Sequence, residues 1–249
     1  MNLQNKIALV TGGTKGIGAA AAIALARDGA DIAISARHHD ADCRATCEAV
    51  RALGRRCEFL PADFGKPADA AQVVADTVRR LGGIDVLVHS AGGPVNGGLF
   101  EITPEQWQAA FDVHVHAIFH LCRAAIPHMK PKREGAIILI SSTAGIRGVI
   151  TNIAYQVAKG ALPQFTRALA REFANDNIRV NCVAPGVVRT AFHATMSEAQ
   201  RALNLEQRIP LHREGTPEQV ASLIVELVKN DYLTGETFTV DGGLTMRIA

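Results

Sequence analysis

The chain has 249 residues, 48% of them hydrophobic and 20% charged, a balance that excludes disordered and fibrous proteins and suffices for an ordinary buried core. Its 26 Lys and Arg face 24 Asp and Glu, a formal charge of +2, which excludes the strong field of a nucleic-acid or anionic-membrane binder and points to a small-molecule partner. The five cysteines, Cys43, Cys47, Cys57, Cys122 and Cys182, form no CxxC pair, and no run approaches the ~18 apolar residues of a membrane span, so a soluble, cytoplasmic protein with reduced thiols is expected.

Seven short apolar runs follow in chain order: Ile7 to Val10, Ile32 to Ser35, Cys57 to Leu60, Ile84 to Val88, Ala136 to Ile140, Ile178 to Val183 and Thr237 to Val240. Helix-length stretches separate most of them. The alternation predicts an α/β fold: a doubly wound, parallel, seven-stranded sheet with helices on both faces. No linker, composition shift or internal repeat interrupts it, so residues 1–249 are expected to form a single domain. Thr103-Pro104-Glu105-Gln106 and Thr216-Pro217-Glu218-Gln219 each write a helix start, with a Thr cap, a Pro in the first turn and a Gln at the third helical position. Sheets of this kind bind ligands beyond the carboxyl ends of their strands, which directs attention to the loops after Val10, Ser35, Val88, Ile140 and Val183.

The first of these loops reads Thr11-Gly12-Gly13-Thr14-Lys15-Gly16-Ile17-Gly18 and opens an Ala-rich helical stretch to Arg27. Glycines here permit positive φ and let backbone N–H groups approach a pyrophosphate at the positive end of the helix. Lys15 precedes a Gly instead of following one, so an ATP-type P-loop does not fit. The second run ends Ser35-Ala36-Arg37, without the acid that dinucleotide folds use for the ribose 2′-hydroxyl of NAD. Lys15 and Arg37 suit a 2′-phosphate instead, and NADP(H) is the expected cofactor. The opposing reading leaves Arg37 in solvent and turns Asp40 or Asp42 back to the ribose.

Tyr155 and Lys159 lie one turn apart on one face of a helical stretch running toward Asn175. An ammonium beside a phenol is expected to favour the phenolate and to bring its pKa down from ~10, as proton exchange during hydride transfer requires. Ser141-Ser142 at the end of the fifth run supplies a hydroxyl for a substrate oxygen. Pro163, four residues past Lys159, cannot donate to that residue's carbonyl, which is left to water or to a bend in the helix.

Taken together, these motifs resemble the short-chain dehydrogenase/reductase family in its NADP(H)-preferring form, and within it the 3-oxoacyl-[acyl-carrier-protein] reductases. The resemblance covers nearly the whole chain: Thr11 to Gly18, Asp63 after the third run, His89-Ser90-Ala91-Gly92 after the fourth, Ser142, Tyr155, Lys159, Pro185-Gly186 after the sixth, and Val240-Asp241-Gly242-Gly243 near the end. It implies a Rossmann fold, with Tyr155 exchanging a proton with the substrate carbonyl or hydroxyl. Lys159 would hold the nicotinamide ribose, and Ser142 would orient the reacting oxygen. Gly12, Thr14, Lys15, Gly16, Ile17 and Gly18 would carry the diphosphate turn, with Arg37 at the 2′-phosphate and Asp63 at the adenine. Ala91 and Gly92 would shape the cofactor wall, while Pro185, Gly186, Val188 and Thr190 approach the nicotinamide, Thr190 at its carboxamide.

Two departures stand out. His89-Ser90 replaces the family's Asn-Asn, and His114, seven residues past Trp107, replaces the Asn that holds a water of the proton relay. With Ser142, Tyr155 and Lys159 intact, an active enzyme is expected with His114 in the place of that Asn. An imidazole can hold a water too, but its size and its ordinary pKa near ~6.5 are expected to make the relay pH-sensitive or to block it. The opposing reading is an uninvolved histidine in a packed helix. His116 and His120 are four apart without a third ligand, so no metal site is expected. The basic cluster Lys130, Lys132, Arg133 reads as a solvated helix end or as a docking patch for an acidic acyl carrier protein.

The implied activity is NADP(H)-dependent reduction of a ketone or a 3-oxoacyl thioester, the latter borne by an acyl carrier protein. Within the family, oxidation of a sugar or polyol is the alternative. Outside it, the alternative is an NADP(H)-binding regulatory protein with little turnover, against which the retained Ser142, Tyr155 and Lys159 argue. Specificity is expected from 93–98, 143–151 and a substrate loop at 187–211, where Ile146, Val149, Ile150, Phe192 and Met196 suit an apolar substrate and Arg147, Arg189 and His193 an anion or polyol. A homotetramer or homodimer is implied, with Phe111, Val115, Ile118, Phe119 and Cys122 either feeding its interface or lying in the core.

Overall fold

In the computed structural model, which describes residues 1–150, 152–190, 192 and 196–246, all seven apolar runs become strands of one sheet. They are β1 Ile7–Thr11, β2 Asp31–Ala36, β3 Cys57–Pro61, β4 Val86–His89, β5 Gly135–Ile140, β6 Ile178–Pro185 and β7 Thr237–Val240. Their order is β3-β2-β1-β4-β5-β6-β7 and every neighbouring pair is parallel. Strand β4 starts two residues later than its apolar run, and Asp85 just before it fastens that end: its carboxylate accepts from the Ile7 N–H (2.9 Å) and from Lys132 Nζ (2.7 Å), and its own N–H donates to the Ile7 carbonyl (2.8 Å).

Alternation along the strands builds two cores. Leu9, Leu87, Ile137, Leu139 and Val180 face α3 (Pro67–Leu81), α5 (Ala117–Met129) and α6 (Ile153–Phe173). Ala8, Val10, Ile32, Ile34, Val88 and Ile138 face α1 (Gly16–Arg27), α2 (Ala41–Ala52) and α8 (Pro217–Lys229). Burial on both faces explains the unbroken apolar runs. Both expected capping boxes form, Thr103 with Gln106 at the start of α4 (Pro104–Phe111) and Thr216 with Gln219 at the start of α8. A short α7 (Glu198–Leu203) lies in the 187–211 segment. No helix among the described residues is long and apolar enough to cross a membrane.

The order of the strands reverses between β1 and β4, so the connections leaving them part to opposite faces and open a crevice at their carboxyl ends. The glycine turn, Arg37, the 90–92 segment and Ser142 follow strands at that same edge, where His89 and Pro185 end β4 and β6.

Candidate active site

The turn between β1 and α1 has no room for side chains. A Cβ on Gly12, whose φ is +65°, would lie 2.8 Å from the Ala91 backbone, and one on Gly18 would lie 2.2 Å from the Gly12 carbonyl oxygen. Helix α1 begins with no side-chain cap and no acid in its first turn, so its leading N–H groups and dipole are presented to the crevice. That donor set, beside a cleft wall formed by Ala91, fits the diphosphate of a dinucleotide. Thr14 is buried and its carbonyl accepts from Thr46 Oγ1 (3.0 Å), which pins the turn to α2. The Thr190 methyl packs next to Gly16, so the end of β6 and the glycine turn border one cleft.

At the tip of β2, Arg37 and Lys15 are exposed. Asp40 does not turn back to a ribose: it caps α2, accepting from the Cys43 N–H at 2.9 Å. That bond, with Lys15 and His38 nearby, holds its carboxyl below the usual range. Asp63 accepts from the Gly65 N–H (3.1 Å), fixing the turn after β3.

Across the β1–β4 junction, Thr11 pairs with His89. Burial, aided by the charge of Lys159, pushes the His89 pKa down to about 3, so the ring is neutral. Its Nε2–H then donates to the Val113 carbonyl (3.2 Å), its Nδ1 accepts from the Thr11 hydroxyl (2.9 Å), and Thr11 Oγ1 accepts from the Ala91 N–H (3.3 Å). This chain of bonds fixes the cleft wall and was not read from the sequence. Its only signal was the polar Thr11 and His89 at the ends of two apolar runs.

His114 sits in a π-helical turn, Asp112–His116, that joins α4 to α5. The ring is 2% exposed, and its Nε2 bonds the Gly93 carbonyl at 3.1 Å. It fills the space over Gly92, whose φ is +140° and where a Cβ would lie 2.1 Å from His114 Cε1. Its ring stands edge-on to that of Tyr155, with centroids 5.5 Å apart. Burial first, then the charge of Lys159, pushes its pKa down to about 2. The expected pH-sensitive relay therefore has no titration behind it: His114 is neutral across the working range. With Nε2–H donated, Nδ1 is a buried acceptor, without a partner among the described residues.

Tyr155 and Lys159 lie one turn apart on α6, as their spacing predicts, with Lys159 Nζ 5.8 Å from the phenol centroid. The expected electrostatics are overturned. Burial pushes the phenol pKa up to about 12, opposed by its hydrogen bond with Ser142, and the buried Lys159 is itself pushed down to about 8. Its Nζ donates to the Ile140 carbonyl at 2.6 Å. The phenol is thus held as a protonated acid.

The two serines divide their work. Ser142 faces Tyr155, whereas Ser141 is buried and donates from Oγ to the Lys159 carbonyl at 2.7 Å. That carbonyl is the one Pro163 cannot serve. A neighbouring side chain has taken the acceptor assigned to water or to a bend, and Gly145 closes over it, since a Cβ there would lie 2.8 Å from the Lys159 oxygen.

Other expected residues divide between the site and the scaffold. Gly186 donates to the Val240 carbonyl (3.0 Å) where β6 ends in Pro185. Val188 forms a bridge with Gly215, and Phe192 packs against Tyr155 at 5.7 Å between ring centroids. Ile17 packs against the α1-side core. Arg147 donates to the Thr245 carbonyl (2.9 Å), so it ties down the C-terminal segment. His193 and Thr151 lie outside the described residues. Ile118 and Cys122 belong to the core, while Phe119 is exposed. His116 bonds Asp112 (2.9 Å), and among the described residues no group of His, Cys, Asp or Glu gathers as a metal site. Lys130 and Lys132 pair with Asp176 and Asp85.

The family model described as enoyl-(acyl carrier protein) reductase matches residues 12–245. Over 99% of its length the chain is 37% identical to dehydrogenase/reductase SDR family member 4 of Oryctolagus cuniculus, covering 96% of that protein. The chain belongs to the short-chain dehydrogenase/reductase family. Within that family it is also 35% identical to the 3-oxoacyl-[acyl-carrier-protein] reductase FabG of Chlamydia muridarum, over 97% of this chain and 98% of that one. Among solved structures, L-sorbose reductase of Gluconobacter frateurii, complexed with NADPH and L-sorbose, superimposes with a TM-score of 0.92 at 30% identity, covering all of both chains. As a short-chain dehydrogenase/reductase, the protein is an oxidoreductase that works on carbonyl and hydroxyl groups with a nicotinamide cofactor.

Proposed function

We propose that the protein is an NADPH-dependent reductase of small ketones or 3-oxoacyl thioesters, with Tyr155 as the proton donor. The observation that carries this reading is the meeting of Ser142, Tyr155 and Lys159 beside the glycine turn: the phenol bonds Ser142, and Lys159 Nζ lies 5.8 Å from its ring. Reduction consumes an acid at the carbonyl oxygen, which a phenol kept protonated by burial supplies; the same group, deprotonated, serves the reverse reaction.

Nicotinamide, when bound, supplies the hydride. Ser142 Oγ and Tyr155 Oη hold the carbonyl oxygen, and Oη passes its proton to that oxygen as charge develops there. Lys159, anchored on the Ile140 carbonyl, presents its remaining N–H bonds to the ribose and keeps positive charge near the phenolate left behind. Neutral His114 closes the wall behind Tyr155 and holds a water at Nδ1 without changing charge. The turn Gly12, Thr14, Lys15, Gly16, Ile17 and Gly18 takes the diphosphate. Arg37, with Lys15, grips a 2′-phosphate, a role supported by the commitment of Asp40 to α2. Asp63, Ala91, Gly92, Pro185, Gly186, Val188 and Thr190 line the rest of the dinucleotide path, and the 187–211 segment covers the substrate.

The test follows loss of NADPH absorbance over ketones, 3-oxoacyl thioesters, oxo acids and ketoses, with NADH and Tyr155→Phe in parallel. Turnover that prefers NADPH and falls at least ~100-fold in Tyr155→Phe is expected; turnover indifferent to Tyr155 refutes the reading. Arg37→Ala is expected to raise KM for NADPH about tenfold and leave that for NADH unchanged. Ketose reduction is the second reading, favoured by the likeness to L-sorbose reductase.

A further inference from the structure

Outside the cleft residues used above, a cavity of about 380 Å³ is lined by Arg189, Arg201, Leu205, His212, Arg213 and Glu214. Its floor is a short knit between the exit of β6 and the approach to α8. There the Gly215 N–H donates to the Val187 carbonyl and the Arg189 N–H to the Gly215 carbonyl, each at 2.9 Å. On this floor the Glu214 side chain, 4% exposed, accepts from Arg189 Nε (3.2 Å) and from Arg201 Nε (2.8 Å). A carboxylate buried this deeply persists because two guanidiniums partner it.

The charges do not close. One carboxylate stands among three guanidiniums, which leaves a local surplus of two positive charges, as large as the formal charge of the whole chain. Nor are the guanidiniums spent. Arg189 and Arg201 reach Glu214 through Nε alone, and among the described residues their terminal Nη groups have no protein acceptor. Arg213 gives a single Nη1–H to Gln219 Oε1 at 3.3 Å. The Arg189 and Arg201 side chains are 76% and 50% exposed, so these outer nitrogens stand at the open side of the cavity. Here Glu214 grips the inner nitrogen and leaves the outer fork available.

The position also bears on the reaction, because the chain leaving Arg189 borders the catalytic cleft. Thr190 packs beside Gly16 and Phe192 beside the Tyr155 ring.

We propose that this cavity is an anion site, in which Arg189, Arg201 and Arg213 bind a phosphate or carboxylate group. The anion is either the end of the substrate remote from the reacting carbonyl, a version that rests on the function proposed above, or a free inorganic anion. Forked guanidiniums suit both by paired, charge-assisted bonds, and the surplus charge falls when either binds.

Calorimetric titration of inorganic phosphate into protein already saturated with NADP+ tests the site with the nucleotide's own phosphate positions filled. Saturable binding is expected, weakened at least tenfold in both Arg201→Gln and Arg213→Gln, two variants on separate segments whose folding is checked by thermal melting. A second arm compares a ketone with its phosphorylated counterpart. A lower KM for the phosphorylated ketone, lost in Arg213→Gln with kcat kept, assigns the anion to the substrate. Equal KM values with phosphate binding intact assign it to a free anion. Absence of saturable binding, or binding untouched in both variants, overturns the proposal. Because the phosphate arm needs no turnover, it reads out the site even where the carbonyl panel is silent.

Discussion

Replacing Ser141 with alanine probes the arrangement that holds Lys159 in position. The mutation removes the Oγ that donates 2.7 Å to the Lys159 carbonyl, and the helix cannot compensate because residue 163 is proline. Gly145 packs against the same carbonyl and keeps it enclosed. A buried acceptor left without a donor costs about 1–3 kcal/mol, so Ser141→Ala is expected to lower stability by about 2 kcal/mol.

Pro163→Ala alone restores an N–H and relieves the ring's crowding. Against the ~3 kcal/mol preference for Ala over Pro inside helices stand the entropy that proline removes from the unfolded chain, up to ~1 kcal/mol, and the ~1 kcal/mol bond that Ser141 already supplies. The net gain is about 1 kcal/mol. In the double variant the restored N–H at position 163 serves the Lys159 carbonyl, and the cost of Ser141→Ala should fall below about 0.5 kcal/mol, a coupling of about 1.5 kcal/mol. Urea unfolding of the four proteins measures this, and slow exchange of the new amide at position 163 reports the new bond. Costs that add to within the ~0.5 kcal/mol typical of independent sites would refute the argument.

Acid should destabilise the fold through His89 and His114, whose pKa values of about 3 and about 2 lie below the unfolded value of 6.5. The unfolded chain binds protons that the folded one refuses, so stability falls as pH drops below ~6.5, by about 2 kcal/mol per histidine down to pH ~5. Urea midpoints against pH should lose about half of this slope in His114→Asn, and an unchanged slope would show that His114 is not held neutral. Gly92→Ala combines a glycine-only φ of +140° with a 2.1 Å clash on His114, each costing about 1–3 kcal/mol. His114→Ala should recover the clash portion alone, and a double-mutant cycle without coupling would contradict that packing. The rate of alcohol oxidation should climb with pH through the alkaline range, because the phenol pKa near 12 must be overcome to form the base; a flat profile above neutrality would remove Tyr155 from that role.

Much of this protein was determined by the sequence itself. Apolar runs such as Ile7 to Val10 and Ala136 to Ile140 are buried on both faces, so a parallel sheet between helix layers follows from local composition. Gly12 and Gly18 announce their turn because no other residue fits the close backbone approach, and the four-residue step from Tyr155 to Lys159 fixes a shared face through helical geometry alone. These features depend on near neighbours in the chain.

Tertiary structure decided whatever depends on which distant groups meet and how much water remains between them. The sequence set an ammonium beside a phenol, but only packing shows burial outweighing that charge and holding Tyr155 protonated. It set a proline after Lys159, but only the meeting of β5 with α6 brings Ser141 to the carbonyl. It set an imidazole near the site, but whether His114 titrates depended on its enclosure by Gly92, Gly93 and Tyr155. The gathering of Arg189, Arg201 and Arg213 around Glu214 likewise arises where the segment after β6 folds back onto the approach to α8. Desolvation and long-range pairing are properties of the folded volume, and one-dimensional spacing does not carry them.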